Sequence, residues 1–305
     1  MEMISWQLAL VLRAITSNIL APILMKKQAE RVDMHTRFFL QYVFNTAFTS
    51  ILFVYFFEYF NAKAFLFSMG LGVVTVFGAF FYWKALAISG SKTSMFAFID
   101  DIIAILLSVV FLGEWARITG SAFVGILLCF LAVAGFALRA RARDAKGDLS
   151  ATPIKLFLFV GLYSVTWGFS YFLQKIFAVQ SIGMLNMVEG FYIGGLIVSW
   201  LILRFAYKIK REELVTKITA LDRKDFGSVG LLSIILIISM CLQYTIFHGV
   251  IQLAAQPIFL VGEMVLQALV FLWFFPAERK HFDRYEIASA VLALIGTLLI
   301  MGFQI

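Results

Sequence analysis

Ten apolar stretches, joined by loops too short to fold on their own, decide what this chain is able to become. They run approximately over 5–25, 38–57, 65–83, 94–112, 119–138, 156–177, 182–205, 226–247, 256–275 and 285–303. A bilayer crossing needs about 20 mostly apolar residues, so ten crossings consume roughly two thirds of the 305 residues. Soluble domains carry about 25% charged residues; here 14% are charged and 62% are hydrophobic. The expectation is an all-α membrane protein of ten transmembrane helices, with no room for a soluble catalytic domain.

Charge placement gives the expected orientation. Lys and Arg accumulate after the first, third, fifth, seventh and ninth stretches, twenty-one in all, while Lys63, Arg117 and Lys175 are alone on the other side. Basic loops stay in the cytoplasm, which predicts that both termini face outward. The formal charge of +7 therefore reflects topology rather than nucleic-acid binding. No cleavable leader is expected, since no Lys or Arg precedes the first stretch and no small-residue cleavage site follows a short apolar core. Cys129 and Cys241 fall in different spans, which fits buried packing rather than a disulfide or metal-ligand spacing. The readings are an integral protein of a bacterial inner membrane, with neither cofactor nor metal.

The chain repeats itself. Ala85-Leu-Ala-Ile-Ser-Gly90 leads through an apolar run to Phe111-Leu-Gly-Glu114. Gly249-Val-Ile-Gln-Leu-Ala254 leads through another to Phe275-Pro-Ala-Glu278, with the two glutamates at the same distance from their starts. Two copies result, 1–145 and 156–305, joined by the basic linker 146–155, which contains Pro153. Five spans per copy is an odd number, so the second copy crosses in the opposite sense. Inverted repeats of this kind recur in secondary transporters, whose sites lie near the midplane where the repeats meet.

Buried charge marks the candidate site. Asp100 and Asp101 sit in the fourth stretch, Glu263 in the ninth, Glu189 in the seventh and Arg13 in the first. A central Asp or Arg costs about 2.5–3.5 kcal/mol on insertion scales, so such residues face a bundle interior or a water-filled cavity. For Arg13, snorkelling to the outer headgroups is the competing reading; for the aspartates it is a structural role, one of them pairing with Arg13. Gln267 lies one helical turn from Glu263 and shares its face. Tyr82, Trp167, Tyr171 and Tyr244 are the aromatic candidates for holding a cation against a ring face. The pair Gly190 and Gly194 allows close approach of another helix.

The five-plus-five pattern, the Leu112-Gly113-Glu114 end of the fourth span, and Trp167-Gly168 followed by Lys175 resemble the EamA-type branch of the drug/metabolite transporter superfamily. The resemblance implies ten helices in two inverted repeats, a central cavity lined partly by spans four and nine, and alternating-access movement of small metabolites. Members of that family often carry Pro in the middle of spans four and nine, where this chain has Asp101 and Val265, so a helix break there is not assured. Better-studied members also have cytoplasmic termini, opposite to the basic-residue count.

The expected function is secondary transport of a small cationic or zwitterionic metabolite, such as an amino acid, polyamine or quaternary amine. The three acids would bind the amine or exchange protons as coupling ion. The alternative keeps the fold and moves an anionic metabolite, nucleotide-like solute or lipid phosphate on Arg13 and Lys175, with Lys84 nearby. An enzyme is not expected: His35, His248 and His281 are scattered near loops and form no catalytic constellation. The expected partners are the solute and the lipid bilayer.

Overall fold

The computed structural model describes residues 5–29, 31–56, 59–88, 93, 99–144, 154–275 and several positions between 288 and 299. Much of the expected tenth span, most of the linker 146–155 and the start of the fourth span lie outside the described residues. Within them the chain is all helical. In order come α1 (Trp6–Ala29), α2 (Met34–Phe56), α3 (Ala62–Ile88), α4 (Ile99–Leu112) and α5 (Gly120–Asp144). They are followed by α6 (Ile154–Val179), α7 (Met184–Ala206), α8 (Arg211–Thr219), α9 (Arg223–Gly249) and α10 (252–274). Five of these, α1, α2, α3, α7 and α9, are long and apolar enough among the described residues to cross a membrane.

Short polar side chains set the helix starts. Ser5 accepts from the Leu8 N–H, Asn61 from Ala64, Thr119 from Ala122 and Asp222 from Asp225. Each satisfies a backbone donor that the first helical turn leaves open. Asp33 starts α2 likewise, accepting from both the N–H and the hydroxyl of Thr36 at 3.0 Å. The basic stretch after the seventh span, read as loop, contains α8, an exposed helix held through Leu214 against Leu203 and Ile209 and laced by a Lys217–Glu213 pair at 2.9 Å. Its low hydropathy hid it from a search for spans.

Polarity is distributed inside out. Val110, Phe111 and Trp273 are exposed, whereas Asn45, Asp100, Asp101 and Gln256 are fully enclosed. A lipid-facing bundle has this pattern, because apolar side chains gain nothing from hiding and polar groups have no water outside to bond. Since lipid supplies little drive for helix association, small residues bring backbones together instead. A Cβ on Gly190 would meet the Phe65 carbonyl at 2.5 Å, and one on Gly194 would collide with the Met69 backbone. The Gly190–Gly194 pair thus seats α7 on α3.

Two helices widen at the centre. Ala14–Leu20 in α1 and Gly262–Leu266 in α10 are π-helical, and the two segments touch. Val265 stands in the second of them, so α10 departs from regular α-helix there without a proline. Such wide turns concentrate at functional sites.

Candidate functional site

The widened turns bring charge to the middle of the bundle. Arg13 is 2% exposed, which places it inside rather than at the headgroups. Its Nη2 donates to Glu263 Oε1 at 3.3 Å and its Nε to Gln243 Oε1 at 3.1 Å, while its guanidinium carbon lies 3.6 Å from the Phe259 ring centroid. The chain of bonds continues from Gln243 Nε2 to Gln174 Oε1 at 2.8 Å and from Gln174 to Ser170 at 3.0 Å. Tyr171 also donates to Glu263 Oε1, at 3.3 Å. One polar network therefore ties α1, α6, α9 and α10 together, joining both halves of the sequence.

The network opens on a cavity of about 140 Å³. Arg13, Glu263, Gln267, Gln243 and Gln174 form its polar wall. Opposite them, Gln41 and Asn45 from α2 stand one turn apart, and three of their buried polar atoms have no hydrogen-bond partner. Aromatic rings make up the rest. Tyr82 faces Tyr163 at 4.8 Å between centroids, Trp167 lies 5.6 Å from Tyr171 and 6.4 Å from Phe191, and all of them line the cavity. Tyr163, Trp167 and Tyr171 share one face of α6 by their four-residue spacing. Gly168, on that helix, is packed so closely against α4 that a Cβ would come within 2.6 Å of the Asp100 carbonyl.

Of the residues singled out from the sequence, Arg13, Glu263, Gln267, Trp167, Tyr171 and Tyr82 line this cavity. Asp100 and Asp101 stand behind its wall, fully enclosed, with carboxylate oxygens within 4.8 Å of each other and of Glu263. Arg13 pairs with Glu263, not with either aspartate. Glu189 and Tyr244 sit apart from the cavity: Glu189 accepts from Ser50 at 2.5 Å between α2 and α7, and the Tyr244 hydroxyl donates to the Ile182 carbonyl. Lys175 donates to the carbonyls of Phe247 and Val250, both at 2.6 Å, where a cation suits the C-terminal end of α9. Lys84 packs over Phe80, with Phe159 and Tyr207 nearby.

Gln174, Gln243, Gln41, Asn45 and Tyr163 were missed as cavity residues. Each is a polar group inside an apolar run, and that signal was available. Which face it belonged to was not.

The duplicated segments meet each other. Glu114, 3% exposed at the end of the first, accepts the Gln252 N–H at 3.0 Å at the start of the second. Ser108 bonds the Gln252 side chain at 2.5 Å. Gly113 turns the chain into this contact with a left-handed φ of 62°, a conformation glycine adopts without strain.

Residues 5–138 match the EamA-like transporter family. Among solved structures 27 chains match; one of them, a crystal structure, superposes with a TM-score of 0.64 at 16% sequence identity, over 95% of this chain and 93% of its own. At that identity the likeness is one of fold. No curated protein matches the chain.

Proposed function

Because residues 5–138 belong to the EamA-like transporter family, within the drug/metabolite transporter superfamily, we propose that this integral multi-pass membrane protein is a secondary transporter of a small cationic or zwitterionic metabolite. It works by alternating access between two inverted five-helix repeats, 1–145 and 156–305, joined by the linker 146–155. Both termini face outward in a bacterial inner membrane.

The helix pairings support the repeat reading. Exchanging the halves swaps α1, α2, α3 and α4 with α6, α7, α9 and α10. The packing of α3 on α6 and α7 then becomes that of α9 on α1 and α2, while α2–α7 and α4–α10 map onto themselves. Self-mapping pairs lie on a two-fold axis, and the carboxylates of Asp100, Asp101 and Glu263 belong to one of them.

One observation carries the substrate reading: Glu263 lines an aromatic-walled cavity in which Arg13 is the one basic lining residue among those described, and Arg13 is already paired. An amine would take the place of the guanidinium at Glu263 and lie against the rings of Tyr82, Trp167 and Tyr171. Gln41 and Asn45 offer hydrogen bonds to the remainder of the solute. The volume is close to that of the ~150 Å³ cavity that admits benzene, so it suits an amino acid or small amine better than a nucleotide. Protons exchanged at the three acids provide the coupling. The anion alternative has less support, since Lys175 is committed to helix-end carbonyls.

The test is a thermal-shift screen of purified protein against amines, amino acids, nucleotides and lipid head groups. A ligand of the folded state raises the midpoint by mass action. The expected result is stabilisation by an amine or amino acid that disappears in Glu263→Gln, together with its transport in proteoliposomes. Stabilisation by anions alone, or unchanged transport in a folded Glu263→Gln protein, overturns the reading.

A further inference from the structure

Asp100 and Asp101 are unexplained by the solute cavity, which neither of them lines. Both are fully enclosed, with carboxylate oxygens gathered within 4.8 Å of each other and of Glu263. Asp100 Oδ1 accepts the Asp101 N–H at 2.9 Å, and Glu263 Oε1 is taken by Arg13 and Tyr171. Three oxygens are left over: Asp100 Oδ2 and both oxygens of Asp101 are buried without a hydrogen-bond partner. Ionised, the triad has one carboxylate paired by Arg13 and two charges uncompensated, and burying an uncompensated charge costs several kcal/mol per ion. The other titratable groups facing it are Tyr82 from α3, Tyr171 from α6 and Tyr163 from α6, which hydrogen-bonds Asp100; their hydroxyls add no positive charge.

An all-oxygen donor set selects a hard cation. Two ligands on opposite sides of an ion at about 2.4 Å stand about 4.8 Å apart, and oxygens of the three acids all lie within that distance of one another. Magnesium, with bonds of about 2.0–2.1 Å and retained waters, fits a dry site poorly, and calcium wants six to eight oxygens. Three free oxygens and a share of Glu263 are too few for it. We infer that Asp100, Asp101 and Glu263 form a site for a dehydrated monovalent cation of sodium's size, one aspartate keeping a proton so that the charges balance; the ion competes with protons for the same oxygens and stands beside the solute cavity with Glu263 common to both. Its part in transport rests on the reading above; its existence as a binding site does not. Sharing Glu263 lets the ion determine how much of that carboxylate is offered to the solute.

The experiment is thermal unfolding of the full chain in detergent, in sodium, potassium or choline chloride at matched ionic strength, at an alkaline and an acidic pH. Sodium at tenfold its dissociation constant is expected to raise the midpoint by about 3–4 °C over choline at alkaline pH. The gain shrinks in acid and is absent in Asp101→Asn. Should that variant fail to fold, adding sodium chloride to weakly buffered wild-type protein supplies the second readout: sodium entering a protonated triad releases protons, and choline chloride does not. Equal midpoints in all three salts at alkaline pH, or no sodium-specific proton release, overturn the inference. Loss of the sodium effect with solute stabilisation intact removes the ion site alone. A sodium effect without stabilisation by any solute leaves the ion site standing and removes the solute reading.

Discussion

Replacing Arg13 with Met removes the positive charge paired to Glu263, beside which two more enclosed carboxylates, Asp100 and Asp101, stand. The Arg13–Glu263 pair, 3.3 Å apart with side chains 2% and 6% exposed, is worth about 5 kcal/mol of Coulomb attraction at an effective dielectric of 20. Methionine matches the aliphatic stem, so little packing is lost. What goes is the charge, the bond to Gln243 and the contact with Phe259. Breaking a buried pair from one side costs about 3–5 kcal/mol, or about 6–15 °C of melting temperature at roughly 2–3 °C per kcal/mol. Glu263→Gln is milder, about 1–2 kcal/mol, because Arg13 retains Gln243 and still feels Asp101. In the double variant the losses fall short of their sum, since the pair is removed once rather than twice. Differential scanning fluorimetry of the four proteins at neutral pH measures all of this. Moving to acid, where the carboxylates take up protons, narrows the Arg13→Met deficit. Equal losses for the two single variants, or strict additivity in the double, would refute the view that Arg13 serves as counter-charge to the whole acidic group.

Two further outcomes follow from the helix contacts. Glu114→Gln weakens the bond to the Gln252 N–H and lowers stability by about 0.5–2 kcal/mol, read as a lower melting midpoint without loss of solute binding. Gly194→Val drives a branched side chain into the Met69 backbone and separates α3 from α7, so the variant should yield little monodisperse protein on size-exclusion chromatography; normal yield would show that the two backbones do not need their close approach.

Much of this architecture was legible because the bilayer imposes it. Apolar stretches of crossing length marked where the described helices other than α8 run, and charged residues inside them announced an interior, in keeping with the burial of Arg13 and Glu263. The glycine spacing at 190 and 194 correctly signalled a close helix contact. What could not be read was azimuth. Asp100 and Asp101 are neighbours about 100° apart on a helix, and only packing shows that both gather at Glu263 while neither lines the cavity. Glu189 resembled Glu263 in depth and charge, yet it faces Ser50. Lys175 looked like a cavity cation until the end of α9 supplied two carbonyls for it. The polar wall of Gln174 and Gln243 depends on partners from distant parts of the chain, and no local pattern foretells such pairing. Glu114 was noticed as a mark of duplication, and its bond to the start of the other copy emerged only in three dimensions.

The two ends of α10 are not held alike. Its beginning is clamped by Glu114 and Ser108, while its last eight residues, Gln267–Phe274, lie beyond the wide segment Gly262–Leu266. A helix fastened at its foot and softened at its waist bends there before it slides. Because Glu263 is inside the soft waist, any flexing of α10 changes its distance to Arg13 and to Asp100 and Asp101 together. On the proposed transport reading, the residue that meets the solute is thereby also the one that registers the movement of the scaffold.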